Sequence, residues 1–260
     1  MISRPRARLV RRAGRLTVGP ARTGALLSVT LLSACAHVTR RDVTIPPTPV
    51  AGPLSTAQEG FAKARNSMLT AAAHLPDAAR RLDTIDADCA KGAYDPAKAA
   101  QPGATKAVAR AGTALTNLPK LAGTESGALD VLAAAGQDST LTADQQRAVA
   151  AVVTAARAEV AEVRTLAQDQ KAGWSAYAQL WDAETEWIYR AGAGFFPSQT
   201  TGGYDAQVAG QAYTARTNPL RAAVEHERAG LSQATATLAR DADAVTAAID
   251  AATNAFPSTP

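Results

Sequence analysis

Cysteine, histidine and aromatic residues are scarce in this chain of 260 residues, which contains two cysteines, three histidines and twelve aromatic side chains. The histidines lie far apart in the sequence, and the cysteines do not have the spacing of a metal site. The phosphate-binding glycine motif and the Gly-x-Ser-x-Gly motif of a nucleophilic serine are also missing. We therefore predict that the protein is not an enzyme and uses no metal and no cofactor.

Segments in which apolar and polar residues alternate are absent as well, and β-branched and aromatic residues are sparse. A fold rich in strands is thereby excluded. Alanine, the strongest helix former, is by contrast abundant. The composition predicts an all-α protein.

The first 34 residues combine seven arginines and no acidic residue with a short apolar run at 25–32. A basic stretch, an apolar stretch well below the ~20 residues that span a bilayer, and small residues at its end form a secretory signal. The run ends in Leu32-Ser33-Ala34-Cys35, which resembles the lipobox of bacterial lipoproteins. The resemblance implies cleavage between Ala34 and Cys35, diacylglycerol on the Cys35 sulfur and a fatty acid such as palmitate on the new amine. More than one acyl chain gives a stable membrane anchor.

Removal of the leader changes the charge of the chain. The whole sequence has 27 basic and 23 acidic residues and a net charge of +4. Without the seven leader arginines, 20 basic residues stand against 23 acidic ones, which gives a net charge of −3. The basic balance belongs to the leader, and we predict no binding to nucleic acid.

The resemblance to lipoproteins divides the chain into four expected parts. Residues 1–34 are the signal peptide, and residues 35–54 are the lipidated cysteine with a proline-rich tether. Residues 55–256 are one helical bundle domain, and residues 257–260 are a disordered tail. The expected location is the extracytoplasmic face of the cell membrane or outer membrane, where Cys35 holds the chain.

Heptad spacing and prolines predict four helices in the first half of the domain. The first is expected to break or restart at Pro76, and the second covers about 77–91. A loop is expected over 92–103, a third helix ends before Pro119, and a short fourth helix ends near Gly136. Apolar residues repeat every seven positions in the first helix, at Leu54, Phe61, Met68 and Leu75.

Two long helices are predicted in the second half. The first covers about 142–192, can be capped by Thr142 or Ser139, and carries a heptad seam without a slip. After a short helix around 205–216, the second long helix covers about 218–255. Because a glycine-rich turn joins them, the long helices are expected to fold back on each other, with the first four packed alongside. The predicted fold is an all-α, elongated, antiparallel helical bundle with two long heptad-patterned, coiled-coil-like helices.

Three groups of polar residues each allow two interpretations. Cys89 is either a buried small side chain or an exposed thiol that bridges to another molecule. Gln170 and Glu184 occupy seam positions, where they either set the register, lie where the seam reaches solvent, or line a polar pocket. An acidic group is either a solvated helix end or a calcium site: Asp83, Asp86, Asp88 and Asp95.

Nine of the twelve aromatic residues lie between positions 174 and 213. Trp174, Tyr177 and Trp181 share the seam and are expected to pack in the core. Four others lie off the seam or in the adjoining loop, namely Trp187, Tyr189, Phe195 and Phe196. These four either form an exposed aromatic tip, which would be an interaction surface, or are covered by the first helices.

The expected function is that of a membrane-anchored, non-enzymatic lipoprotein that acts as a scaffold, spacer or docking protein for another protein of the cell envelope. The alternative is a carrier that holds a lipid or small apolar ligand between helices, near the Trp174–Trp181 layer. A third hypothesis is a pore-forming protein that uses the loop at 192–204.

Overall fold

The computed structural model describes residues 53–91, 93–192 and 203–256. The predicted signal peptide and Cys35 lie outside these residues, as do Phe195, Phe196 and the tail at 257–260. The described residues form four α-helices and no strand, which confirms the all-α helical bundle. The helices are α1 Pro53–Ala90, α2 Tyr94–Ala135, α3 Ala143–Gly192 and α4 Gly203–Ala255.

The four helices form two hairpins that pack side by side. Helices α1 and α2 pack closely along each other, as do α3 and α4, and α2 lies against α3. The start of α2 meets the end of α3, where Tyr94 contacts Trp187, and the start of α3 meets the end of α4, where Gln145 Nε2 donates to the Ala255 carbonyl. Neighbouring helices therefore run in opposite directions, and the longest exceed 70 Å, since the 50 residues of α3 span about 75 Å at 1.5 Å per residue.

The bundle has two distinct ends. The proximal end, as we call it, contains Pro53 and a cavity of about 30 Å³ lined by Phe61, Leu132 and Phe256. The distal end contains Cys89 of α1 together with the contact between α2 and α3 described above. None of the described helices is both long and apolar enough to cross a membrane.

The heptad seam of α3 lies in the core along its whole length. Alanines at many core positions let the helix backbones approach closely, and larger side chains fill the space between them. The four heptad residues of α1 are buried too, and Met68 and Leu75 are fully enclosed. All twelve predicted seam positions of α3 are buried: Val149, Val153, Ala156, Val160, Val163, Ala167, Gln170, Trp174, Tyr177, Trp181, Glu184 and Ile188.

The helix breaks that prolines were expected to cause are wrong. Pro76 lies inside α1, Pro102 and Pro119 lie inside α2, and Pro219 lies inside α4. A proline removes one helical hydrogen bond, but packing of a long apolar face can outweigh that cost. Three of the four prolines are exposed, on the side of the helix where water can bind the freed carbonyl. The seven predicted helices are thereby reduced to four.

The start of α3 agrees with the sequence pattern. Thr142 Oγ1 accepts a hydrogen bond from the Gln145 backbone N–H at 3.3 Å, and Gln145 Oε1 accepts one from the Thr142 N–H at 2.9 Å. This reciprocal pair is a capping box, which satisfies two of the free N–H groups at a helix start. The predicted cap at Thr142 is confirmed.

Replacement of Gly136 by alanine is expected to destabilise the bundle. A Cβ atom at Gly136, just after α2, would lie 2.6 Å from Cγ1 and 3.0 Å from Cβ of the buried Val149. Overpacking of this kind costs about 1–3 kcal/mol in the free energy of unfolding. Urea denaturation followed by circular dichroism measures the loss.

The matched control is Gly127→Ala in the exposed part of α2, where nothing lies within 4 Å of the new Cβ. This helix glycine should gain about 0.5–1 kcal/mol on replacement by alanine. Equal stabilities of the two variants would show that the contact between Gly136 and Val149 is not tight.

Candidate functional site

A charged cluster lies in the core between the proximal end and the middle of the bundle. Arg65 of α1 donates from Nε to Glu159 Oε2 at 2.7 Å and from Nη2 to Glu159 Oε1 at 3.0 Å. Nη2 also donates to the Ala242 carbonyl of α4 at 3.2 Å. Because Glu159 belongs to α3, one guanidinium joins three helices, and Arg65 and Glu159 are only 2% and 0% exposed.

Glu125 of α2 completes this group, which we call the Arg65 cluster: Arg65, Glu125 and Glu159. Glu125 is fully buried, and within the described residues neither of its carboxylate oxygens accepts a hydrogen bond. Burial, and then the charge of Glu159, raise the pKa of Glu125 to about 8, although Arg65 opposes the rise. The pKa of Glu159 is raised by burial as well, against the effect of Arg65. Glu125 therefore holds a proton at neutral pH.

A second polar group, the Glu184 cluster, lies near the distal end. It consists of Asp86, Cys89, Glu184, Tyr213 and Arg221. Glu184 Oε1 accepts hydrogen bonds from the Tyr213 hydroxyl at 2.6 Å and from Arg221 Nη2 at 3.2 Å. Arg221 Nε donates to Asp86 Oδ1 at 2.7 Å, which connects α4 with α1. Burial and the neighbouring Asp86 raise the pKa of Glu184 to about 7.

Cys89 is a free, buried thiol that faces the Glu184 carboxylate. Burial and this carboxylate raise the pKa of Cys89 far above its ordinary value. The thiol therefore stays protonated, and a reactive thiolate is not formed at neutral pH. The prediction of a buried side chain is confirmed, and the hypothesis of an exposed bridging thiol is wrong.

Two acidic residues of α1, Asp83 and Asp86, face arginines of α4 rather than solvent alone. Asp86 binds Arg221, and one turn below, Asp83 forms an ion pair with Arg228. Burial raises the pKa of Asp83, although the Arg228 charge opposes the rise. The interpretation of these two aspartates as a solvated helix end is wrong, because α4 packs arginines against them.

Gln170 and Glu184 are both 2% exposed, so the seam does not reach solvent at either position. Glu184 is held by the hydrogen bonds of its cluster, which agrees with the polar pocket rather than with a solvated seam. The hydrogen-bond partners of Glu184 in this pocket are the side chains of Tyr213 and Arg221 of α4.

The exposed aromatic tip is wrong for Trp187, which is only 9% exposed. Its ring stacks on Tyr213 with centroids 4.4 Å apart and meets Tyr94 edge-on at 6.3 Å. Helix α2 covers this side chain, as the alternative interpretation expected of the first helices, and α4, which was not part of that expectation, covers it as well. Tyr189 is 70% exposed, and its role in an interaction surface stays a prediction.

A cleft of about 170 Å³ lies beside Trp187 at the distal end, between α3 and α4. Its rim carries Glu186, to which Arg190 donates at 2.6 Å and Arg216 at 2.5 Å. These charges give the exposed distal surface a polar character next to Tyr189.

The Arg65 cluster was missed in the sequence, although a signal for it exists. Glu125 lies seven residues from Leu118 and from Leu132, and both leucines are buried. Glu159 lies seven residues from the buried Val152 in the same way. A charged residue within an apolar heptad series indicates a buried ionic group when an opposite charge is available on a neighbouring helix.

These arrangements hold helices together and bind protons. Within the three described ranges, no group of three or more His, Cys, Asp or Glu side chains is placed to bind a metal ion. Comparison of the chain with models of protein families, with curated proteins and with solved structures gave no match.

Proposed function

We propose that this chain is an extracytoplasmic lipoprotein, anchored to a membrane through Cys35, whose helical rod acts as a non-enzymatic scaffold or spacer in the cell envelope. The observation that carries the proposal is the position of Pro53, the first described residue, at one end of a rod that exceeds about 70 Å in length. The predicted tether at 35–54 leads into Pro53–Ala90 at the proximal end. The distal end then lies on the side away from the anchor.

The length of the bundle supports a spacing role. Arg157 of α3 binds Asp130 of α2, which marks a level near the proximal end. From Arg157 to Tyr189, α3 rises about 48 Å at 1.5 Å per residue. A partner bound at the distal end would therefore be held several nanometres farther from the membrane than the proximal surface.

The packing of the core favours a scaffold over a carrier. In the layer where an apolar ligand was expected, Trp174 stacks on Tyr177 with ring centroids 5.2 Å apart. Trp174, Tyr177 and Trp181 are all buried by the side chains of the bundle itself. The Arg65 and Glu184 clusters join the two hairpins through ion pairs, which fixes their relative position.

The distal surface is the proposed docking site for an envelope protein. Tyr189 is the most exposed large apolar side chain of the described residues, and Val208 of α4 is 44% exposed. Tyrosine next to arginine is typical of protein interfaces. Arg190 and Arg216 lie beside this surface on the rim of the cleft.

Replacement of Cys35 by serine is expected to move the protein from the membrane fraction to the soluble fraction. Serine cannot form the thioether to diacylglycerol, and without acyl chains the hydrophobic attachment is lost. Immunoblots of membrane and soluble fractions measure the change.

The matched control is Cys89→Ser, which changes a buried thiol outside the leader and should leave the protein in the membrane fraction. Retention of Cys35→Ser in the membrane after a salt wash would contradict the lipid anchor.

A further inference from the structure

The Arg65 cluster contains buried polar atoms that are not hydrogen-bonded as fully as they could be. Both oxygens of Glu125 and the Nη1 atom of Arg65 are buried without a hydrogen-bond partner among the described residues. Unbonded polar atoms in a protein interior destabilise the fold. A core that leaves a free donor and a free acceptor in one cluster has a second arrangement available to it.

The hydrogen bonds of Arg65 described above all lead to the opposite hairpin. Its two bonds to Glu159 and its bond to the Ala242 carbonyl connect the α1–α2 hairpin to the α3–α4 hairpin. A bond from Arg65 to Glu125 would instead stay within the first hairpin, because Glu125 belongs to α2. Nη1 of Arg65 and the Glu125 carboxyl do not reach each other in this arrangement. If the rigid, planar guanidinium turns to bring them together, Nε and Nη2 shift away from Glu159 and the hairpins are tied less firmly.

We propose that the Arg65 cluster is a proton-operated switch in which loss of the Glu125 proton draws Arg65 away from Glu159 and loosens the tie between the two hairpins. The step is a simple ionisation. The O–H bond of the Glu125 carboxyl breaks, its proton passes to water, and the resulting carboxylate accepts hydrogen bonds from the guanidinium. Return of the proton restores the Arg65–Glu159 pair.

The charges around Glu125 set the direction of this response. Arg65 of α1 and Glu159 of α3 are the charged groups that act on Glu125, and Asp241 of α4 acts on Glu159. Burial raises the pKa of Glu125 to about 8, above the 4.5 of a free glutamate. The stability that this proton contributes is therefore fully present below about pH 4.5 and is lost as the pH rises through about 8.

The first test is a titration of the Glu125 carboxyl carbon by NMR in the full-length chain. We expect a midpoint near pH 8 in the wild type. In Glu159→Gln, Arg65 is left with Glu125 as its remaining charged partner, so the midpoint should fall by at least about one pH unit. A wild-type midpoint near 4.5, or the same midpoint in both proteins, would overturn the proposal.

The second test is hydrogen exchange in α1 around Arg65, corrected for the intrinsic effect of pH. Between about pH 6 and about pH 9.5, protection in the wild type should fall at least about tenfold. Glu125→Gln, which cannot ionise, should keep its protection, whereas Glu59→Gln on the exposed face of α1 should behave as the wild type does. Equal losses in the wild type and Glu125→Gln would overturn the switch. If Glu125→Gln does not fold, the wild-type titration decides.

Discussion

Arg65→Met is expected to be one of the two most damaging single substitutions in the bundle, with a loss of about 3–5 kcal/mol in the free energy of unfolding. Methionine fills a similar volume but leaves Glu159, which is fully buried, without its cation. The Ala242 carbonyl loses its hydrogen bond from Arg65 at the same time. Urea denaturation followed by circular dichroism and by tryptophan fluorescence measures the loss.

Two further variants separate the charge effect from general damage. Arg65→Met combined with Glu159→Leu removes both charges of the pair and should recover most of the lost stability, because an apolar pair of similar volume replaces them. Arg157→Met removes an ion pair whose side chains are more than half exposed, and it should change stability little. A double variant as unstable as the single one would show that the unpaired charge of Glu159 is not the cause of the loss.

Tyr177→Ala is expected to cost about 3–5 kcal/mol, because it removes a large buried side chain and leaves a cavity. Tyr177 is 0% exposed, lies on the seam of α3 and stacks on Trp174. The neighbouring backbone is helical and can close only a part of the space. Chemical denaturation followed at two wavelengths measures the loss in the free energy of unfolding. Transitions that do not coincide at the two wavelengths would show that unfolding is no longer two-state.

Tyr177→Phe keeps the ring and removes only the hydroxyl, so it separates the contributions of the two. The Tyr177 hydroxyl is buried and has no hydrogen-bond partner among the described residues, so its removal should be neutral or slightly stabilising. Tyr189→Ala, at an exposed position of the same helix, should have little effect on stability. A loss in Tyr177→Phe as large as that in Tyr177→Ala would show that the hydroxyl, and not ring packing, holds this layer.

Heptad spacing predicted the core of this fold, because the apolar pattern within a single helix depends on local periodicity alone. The seam of α3 and the repeat from Leu54 to Leu75 could be read directly from the positions of apolar residues, and the capping box at Thr142 from residue types at fixed spacing. The continuous helices could not be predicted in the same way. Proline disfavours a helix locally, and only the neighbouring helices, which stabilise a long apolar face, decide whether it continues.

The candidate sites were partly hidden for a related reason. Glu184 was visible as a polar residue on the seam, but its partners Tyr213 and Arg221 lie on another helix, so their meeting depends on the register between α3 and α4. The same holds for Arg65, Glu125 and Glu159, which come from three helices. For Trp187, the position off the seam left both exposure and coverage open, and only the packing of Tyr94 of α2 and Tyr213 of α4 against it decides for coverage.

The most direct test of a membrane-anchored rod is the distance of its two ends from the lipid surface. The protein, purified in mild detergent with the acyl chains that the proposal assigns to Cys35, is placed in vesicles that carry an energy-transfer acceptor on the lipid headgroups. A donor is attached through Val131→Cys near the proximal end or through Tyr189→Cys at the distal end. Both positions are exposed, and the native Cys89 is buried and should not be labelled.

We expect clearly stronger energy transfer from position 131 than from position 189, because α3 carries the distal label about 48 Å farther along the rod. Equal transfer from the two positions, as for a rod lying flat on the membrane, or stronger transfer from the distal label, would contradict the proposed spacing function.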